Sequence, residues 1–562
     1  MRHSRAITAH TTAPRKRNVP GDRIEFISPP RTHSLRFIVV LLALFTLGLM
    51  LRLPTFGRAL LSDDEAIYAV TADALNRGGL LFRDVVDHKP PLIYHVYQVG
   101  FAALGRYNTH VAHGMVVLSV LLTAGFLIAI RRREDRSKWV GLAAAGLFLI
   151  FSTTWHDYDA LAANCELFLL VPQTAAAWLL MRDLHGPSRA VRSLVIHLAV
   201  GVLIGISALF KYQGLTFFGA TIGMLGWWAI LGRMRWSRAM GLSICHVIGA
   251  LLPAAVYLLV YWVFGNVEEL FYWFRFNFSY VGAGLTGVQA LVRGLTRTGM
   301  IGGVAFVPYA LGLFAAVVTA KLMAREVLFR IRRTRSIETE PPAATMVLGV
   351  LWLVTSTIAL SAGGRFFGHY FHLILAPLCL LAAPTFARLW NKGVFYRTSL
   401  AVLCILPALF FFWLASFGRP LAAAMDETEP PYDEVVARIM ALTTPDDRIF
   451  VWGNSPQLYV LARRPMGARF SSCNFVTGES PGTPTELGQW NADINQQPAT
   501  WNMLFADLEQ RRPALFIDAA TAGWDGYDKF PMARYPRLAA YVDQHYRLVE
   551  RAAGVMLYRR LP

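Results

Sequence analysis

The chain has 562 residues, 55% of them hydrophobic and only 16% charged, with a mean hydropathy of +0.41 and a formal net charge of +18. A soluble protein carries roughly a quarter charged residues, so this composition excludes an ordinary soluble enzyme and points to a polytopic helical membrane protein. The positive charge does not indicate a nucleic-acid partner, because the Lys and Arg residues lie mostly in short connections between apolar runs, where they set topology.

Residues 1–36 are basic and polar and read as a disordered cytoplasmic tail. The run FIVVLLALFTLGLMLRL at 37–53 follows. It lacks a small-residue cleavage site and is followed by acids, so it is expected to stay as an anchor. Ten more apolar runs come after it, at 111–130, 139–155, 160–181, 194–210, 214–231, 239–264, 300–322, 343–362, 371–387 and 399–417. Each is near the ~17–25 residues that cross a bilayer core. Alternate connections are basic: the N-terminal tail, RRREDRSK at 131–138, Arg182 to Arg192, RMRWSR at 233–238, Lys321 to Arg335, and Arg388 to Arg397. Keeping these inside leaves 54–110, the turns near 156–159 and 211–213, 265–299, 363–370 and everything after 417 outside. The five cysteines have no disulfide or zinc spacing: Cys165, Cys245, Cys379 and Cys404 lie in apolar runs and Cys473 stands alone.

The same sorting collects the chemistry on the outer face. Loop 54–110 carries ALLSDDEAIYAV at 59–70. Ser62 and Glu65 have capping-box spacing, which leaves Asp64 as the acid the cap does not require, with Tyr68 one turn on along the same face. Asp63 reads as a solvated neighbour. Further on, Pro90 disfavours a helical Lys89 and Pro91 suits a helix start, so Lys89 is expected at the mouth of a helix. That helix can bury Leu92, Val96, Val99 and Ala103 and lie along the membrane surface. The alternative for Lys89 is an interfacial, snorkelling lysine.

Lys211 sits in a tight turn between two spans. GGRFFGHYFH at 363–372 gathers Arg365, His369, Tyr370 and His372 around glycines that permit close approach, or forms an aromatic interfacial belt. His156, Asp157 and Asp159 are metal ligands by type, but their spacing matches no metal template, so no metal is assigned and a solvated turn is expected. Asn164 and Glu166 open the fourth span and require a partner there. FYWFRFNFSY at 271–280 is aromatic enough to stack a sugar or a polyprenyl chain, or to lie at the interface. An outer pocket with one carboxylate and several cations suits transfer from a lipid phosphate. The cations hold the phosphate and Asp64 takes the proton of an acceptor hydroxyl.

The order of a first span, Asp64-Glu65-Ala66-Ile67-Tyr68 and His88-Lys89-Pro90-Pro91 resembles the GT-C glycosyltransferases. The resemblance is to the branch of protein O-mannosyltransferases and of lipid A aminoarabinose and core galacturonic acid transferases. Phe210-Lys211-Tyr212-Gln213 and Gly364-Arg365 with His369-Tyr370 are similar to further elements of bacterial members. The resemblance implies a GT-C catalytic domain over 37–417, inverting transfer from a polyprenyl-phosphate sugar, Asp64 as catalytic acid-base group and Lys89 on the donor phosphate. Lys211 and Arg365 would join Lys89 there, with Glu65, Tyr68, His88, Glu166, His369 and Tyr370 in support. No cofactor is required. The acceptor would be a glycan, lipid or protein. The extra lumenal domain of the eukaryotic mannosyltransferases is missing, which favours a lipopolysaccharide or other envelope glycan over protein. A lipid-carrier transporter is the rival from another class.

After residue 417 the composition turns polar. YDEVVARIMALT, SPQLYVLARR and LAAYVDQHY read as helices, and RIFVWG, ALFIDAA, RLVERA and GVMLYRR as strands. Residues 418–562 are therefore expected to form a small extracytoplasmic α/β domain, in which Asn454, Tyr459 and Arg469 are read as surface residues, with acceptor contact as the alternative.

Overall fold

The computed structural model describes residues 31–132, 138–155, 158–186, 190–282, 285, 287–332, 341–417, 430–479 and 498–562. Most of the basic tail, the linker at 418–429 and the pair His156 and Asp157 fall outside these.

Chain order gives α1 (Arg31–Leu51), α2 (Asp63–Asn76), α3 (Leu92–Leu104), α4 (His110–Arg131), α5 (Lys138–Phe151), α6 (Cys165–Leu184), α7 (Ala190–Phe210), α8 (Phe217–Ile230) and α9 (Trp236–Val263). Then come α10 (Val267–Gly282), α11 (Gly287–Val304), α12 (Phe306–Arg332), α13 (Ala344–Ser361), α14 (His372–Trp390) and α15 (Val394–Phe417). Among the described residues nine helices are long and apolar enough to cross a membrane: α1, α4, α6, α7, α9, α12, α13, α14 and α15. The fold is thus a polytopic helical bundle, with α14 packed against α5, α12 and α13 at its centre.

The remaining two expected spans differ from the reading of the sequence. Residues 139–155 and 214–231 form α5 and α8, helices of only 14 residues each, ~21 Å long against ~30 Å of hydrocarbon. Their neighbours still require them to run the length of the bundle. Asp64, before α4, and Asp159, after α5, line one cavity, so α4 and α5 go out and back. Lys211, before α8, and Asn277, after α9, line it too. A turn at 152–155 and a 3-10 helix at 212–216 complete the shorter helices. The run expected at 300–322 is divided between α11 and α12, with a break at Ala305.

Close approach of helices is written into small residues. A Cβ on Gly201 of α7 would stand 2.3 Å from the His246 carbonyl oxygen, and one on Gly249 of α9 would stand 2.2 Å from that of Leu198. Only glycine permits this backbone contact. α9 otherwise presents Ile248, Leu251, Val256 and Leu259 outward, as a helix against lipid does. α3 buries Ile93, Tyr94, Tyr97 and Phe101 against the protein, while Val99 and Ala103 stay exposed and Leu92 and Val96 half-buried. The apolar face expected to bury is the outward one, free to meet lipid.

The C-terminal part is a small α/β unit: α16 (Tyr432–Leu442), β1 (Ile449–Trp452), α17 (Gln457–Ala462), α18 (Pro498–Arg511), β2 (Leu515–Asp518), α19 (Pro536–His545), β3 (Tyr546–Ala552) and β4 (Val555–Arg560). Strand order is β1-β2-β4-β3, with β1 and β2 parallel and the other pairs antiparallel. The unit docks on loop 54–110. Arg469 O accepts the Val86 amide at 2.9 Å, Arg464 O accepts the Tyr107 hydroxyl at 3.0 Å, and Arg511 donates to Asp84 O at 2.9 Å.

Candidate active site

Ser62, in extended conformation, caps α2 by accepting the Glu65 amide at 3.3 Å. Glu65 does more than close a capping box. Its Oε2 accepts the Leu61 amide at 2.7 Å, and its Oε1 accepts the Ala163 amide at 2.6 Å and lies 3.1 Å from His113 Nε2. This fully buried carboxylate ties the loop to the turn before α6 and to α4, which fixes the start of α2.

That start aims Asp64 into a cavity of about 680 Å³. Asp64 Oδ1 accepts the Lys89 ammonium at 2.9 Å, and Oδ2 accepts the Tyr68 hydroxyl at 3.1 Å. His369 Nε2 stands 4.0 Å from Oδ2. Burial alone would raise the Asp64 carboxyl, but the Lys89 ammonium, with His369 and Lys211, overrides it and holds the group at about 2. Asp64 is therefore a carboxylate at neutral pH.

Lys89 has a second counter-ion in Asp87, at 3.7 Å, and Asp87 in turn accepts the Tyr94 hydroxyl at 2.8 Å and faces His88 Nδ1 at 2.9 Å. Burial opposes both charges, yet each stabilises the other: the Lys89 ammonium is held above its ordinary range and the Asp87 carboxyl below it. The Lys211 ammonium, nine-tenths buried, pairs with Glu166 and stands 3.9 Å from the centre of the Tyr370 ring. Glu166, awkward at the start of a span, has here the partner it needs, and its other oxygen, Oε2, is buried with no hydrogen bond.

Arg365 is buried at the cavity wall in a loop that two glycines shape. Gly363 and Gly364 have φ of +75° and +64°, and a Cβ on Gly364 would lie 2.4 Å from the Leu285 carbonyl oxygen. The close approach expected of this motif is thus made by the chain's own backbone. Asp159 corrects the expected solvated turn. It lines the cavity, accepts the His369 amide at 3.1 Å and lies 2.8 Å from His369 Nδ1. Burial opposes its charge, but His369 holds the carboxyl below its usual range.

The cavity wall thus includes Asp64, Lys89, Lys211, Arg365, His88, His369 and Tyr370. Tyr68 and Glu166 touch it through Asp64 and Lys211, and Glu65 is a strut behind it. Asp63 is no isolated neighbour: Gln457 of α17 donates to it at 2.5 Å. Its carboxyl opens to the cavity yet is ringed by protein, and burial, with repulsion from Asp525 and Asp64, pushes it up to about 7. Of the aromatic stretch, Phe274, Phe276 and Asn277 of α10 reach the wall, and Asn277 also donates to His88 O at 2.8 Å.

The C-terminal unit contributes Asn454, Ser472, Asn474, Phe475, Gly478 and Glu479 to the wall. Asn454, read as a surface residue, lines the cavity. Tyr459 and Arg469 are structural instead: the Tyr459 hydroxyl accepts the Val451 amide at 2.9 Å, and Arg469 forks onto Asp507 at 2.8 and 2.9 Å. The SSCNFVTGE segment carries no catalytic motif, so nothing local signalled it. Among the described residues no group of three or more His, Cys, Asp and Glu is placed to hold a metal ion.

No protein-family model matches the chain, and no curated protein matches it in sequence. Solved structures match in fold. ArnT from Cupriavidus metallidurans, bound to undecaprenyl phosphate, aligns with a TM-score of 0.56 at 16% identity, over 95% of this chain and 99% of that one. The archaeal oligosaccharyltransferase AglB from Archaeoglobus fulgidus, in complex with an inhibitory peptide and a dolichol-phosphate, aligns at 0.53 and 12% identity, over 94% of this chain and 74% of that one. The architecture is the GT-C type that the sequence resemblance implies.

Proposed function

We propose that the chain is an inverting glycosyltransferase. It moves a sugar from a polyprenyl-phosphate-linked donor to a hydroxyl of a lipopolysaccharide or other envelope glycan on the outer face of the membrane. The N-terminus is cytoplasmic, and residues 418–562 are extracytoplasmic. The observation that carries this reading is the meeting of Asp64, Lys89, Lys211 and Arg365, from four separated parts of the chain, in one cavity. The lipid phosphates in the two structures of similar fold support it.

In this reading Lys89, Lys211 and Arg365 bind the donor phosphate. The acceptor oxygen attacks the anomeric carbon from the opposite face, the bond from that carbon to the phosphate oxygen breaks, and polyprenyl phosphate departs. Asp64 takes the acceptor's proton. The phosphate also activates this base. Without donor, Lys89 lies on Asp64 and keeps it weakly basic. As the ammonium turns to the phosphate, the carboxylate loses its counter-ion and its proton affinity rises. A transporter instead calls for polar groups along a path near the membrane midplane, whereas Asp64, Lys89, Lys211 and Arg365 gather in one cavity lined by the outer loops.

The test is turnover. Purified protein in liposomes with radiolabelled polyprenyl-phosphate sugars and an envelope lipid extract should give labelled glycolipid with release of polyprenyl phosphate. Label crossing the bilayer still attached to its carrier, with no transfer, would overturn the reading.

A further inference from the structure

The cavity is electrically divided. Its described Lys and Arg residues, Lys89, Lys211 and Arg365, all come from the membrane part. The wall supplied by the C-terminal unit holds two amides, Asn454 and Asn474, the hydroxyl of Ser472, Gly478, the ring of Phe475 and one charge, Glu479. Asp63 stands beside this wall, hydrogen-bonded to Gln457. A phosphate is recognised by Arg and Lys or by converging backbone amides. Among its described residues this wall carries no such cation, and its one carboxylate, Glu479, is paired with Lys529 behind it.

Its chemistry fits another ligand. Asn474 donates to Asn454 Oδ1 at 3.1 Å, which orients the two amide planes and leaves the Asn454 amide group for a ligand acceptor. Glu479 Oε1 is held by Lys529 at 2.8 Å, while its Oε2 is buried without a hydrogen bond. Asn474 Oδ1 is also buried without one. Buried acceptors of this kind call for donors. Phe475 and Phe276, with ring centroids 5.3 Å apart, give an apolar surface beside them. Paired amides, a hydroxyl and a carboxylate next to an aromatic face match a sugar ring, whose hydroxyls donate and accept and whose C–H face is apolar. The wall also lies where parallel α/β strands place ligands: Asn454 follows the C-terminal end of β1, which is paired in parallel with β2.

We infer that Asn454, Ser472, Asn474 and Glu479 form the acceptor subsite and that it takes an uncharged or amino sugar, not a phosphorylated one. This rests on the glycosyltransferase reading and names the substrate class for its second half. Donor phosphate and acceptor sugar then enter from opposite walls, with Asp64 between them.

Full-length protein in nanodiscs, first loaded with undecaprenyl phosphate so that Lys89, Lys211 and Arg365 are occupied, is titrated with methyl glucoside, methyl glucosaminide and glucose 6-phosphate and followed by saturation-transfer NMR. The two glycosides should give signals that fall at least fivefold in an Asn454→Ala/Asn474→Ala variant, and glucose 6-phosphate should give none. Asn454→Lys should admit glucose 6-phosphate, which keeps the test decisive if the double variant does not fold. Glycoside signals unchanged by the double variant, or glucose 6-phosphate binding to the wild type, would overturn the subsite. Undecaprenyl phosphate binding is read on the same samples by native mass spectrometry. Its loss in the wild type would count against the glycosyltransferase reading and not against the subsite.

Discussion

Asp64→Asn separates the chemical role of this residue from its structural one. The cap of α2 belongs to Ser62, and the fixing of the loop belongs to Glu65. Asn keeps a carbonyl oxygen for the Tyr68 hydroxyl, and Lys89 keeps Asp87 at 3.7 Å. What the substitution removes is the charge in one hydrogen-bonded ion pair, worth about 1.5–3 kcal/mol at most when a charged group takes part. With Asp87 in reserve the loss falls at or below the low end of that range, a shift of a few degrees in melting temperature. The effect on turnover is far larger, because a positioned base contributes ~10²–10⁴-fold. A hundredfold loss corresponds to ~2.7 kcal/mol of barrier. Donor lipid should bind as well as to the wild type or better, since one carboxylate no longer competes for Lys89. Asp63→Asn, which faces Gln457 and not the ammonium, should stay within a few-fold of wild-type turnover. Initial rates with a radiolabelled polyprenyl-phosphate sugar, alongside thermal unfolding, give all three quantities. Near-normal transfer by Asp64→Asn, or a larger loss at Asp63 than at Asp64, would refute the assignment.

Glu166→Gln leaves the buried Lys211 ammonium without its counter-ion, which costs ~3–5 kcal/mol where a buried pair is broken. The ligand-free variant should therefore melt lower, and undecaprenyl phosphate should restore more stability to it than to the wild type, measured by differential scanning fluorimetry. Asp63 gives a pH dependence of definite sign. Its carboxyl stands at about 7 in the fold and near the ordinary 3.8 when unfolded, so the folded state binds the extra proton between these values and stability falls as pH rises through them. Thermal unfolding of wild type against Asp63→Asn should show this difference growing from about pH 4 to pH 7 and constant above; a difference independent of pH would contradict it. A periplasm-active reporter fused after Pro562 should be active, and one at the N-terminus should not.

Much of the fold was legible because the signals were local. Apolar run length marks spans whatever they pack against, and alternation of basic connections gives their order. The short helices α5 and α8 escaped that logic, since hydropathy does not separate an α-helix from the turn that follows it at 152–155 or the 3-10 helix that precedes it at 212–216. At the site, Asp64, Lys89, Lys211 and Arg365 stood out because charge beside a span is costly. Asp159 looked like a solvated turn because its partner, His369, lies 210 residues away. Glu65 matched a local cap so well that its distant bonds to Ala163 and His113 left no separate signature. The wall supplied by the C-terminal unit was least visible, since Asn, Ser and Gly in a loop read as loop chemistry until the fold brings them over the cavity.

In the proposed mechanism Lys89 and Lys211 leave their carboxylates for a single lipid phosphate. A cryo-electron-microscopy structure of the full chain with undecaprenyl phosphate, paired with native mass spectrometry of Lys89→Ala and Lys211→Ala, measures this most directly. The phosphate should lie in the Asp64 cavity within hydrogen-bonding distance of both ammonium groups, with affinity about tenfold to a hundredfold weaker in each variant, as the ~1.5–3 kcal/mol of a charge-assisted contact implies. A phosphate bound elsewhere on the bundle, with Lys89 still on Asp64 and Lys211 still on Glu166, would contradict it.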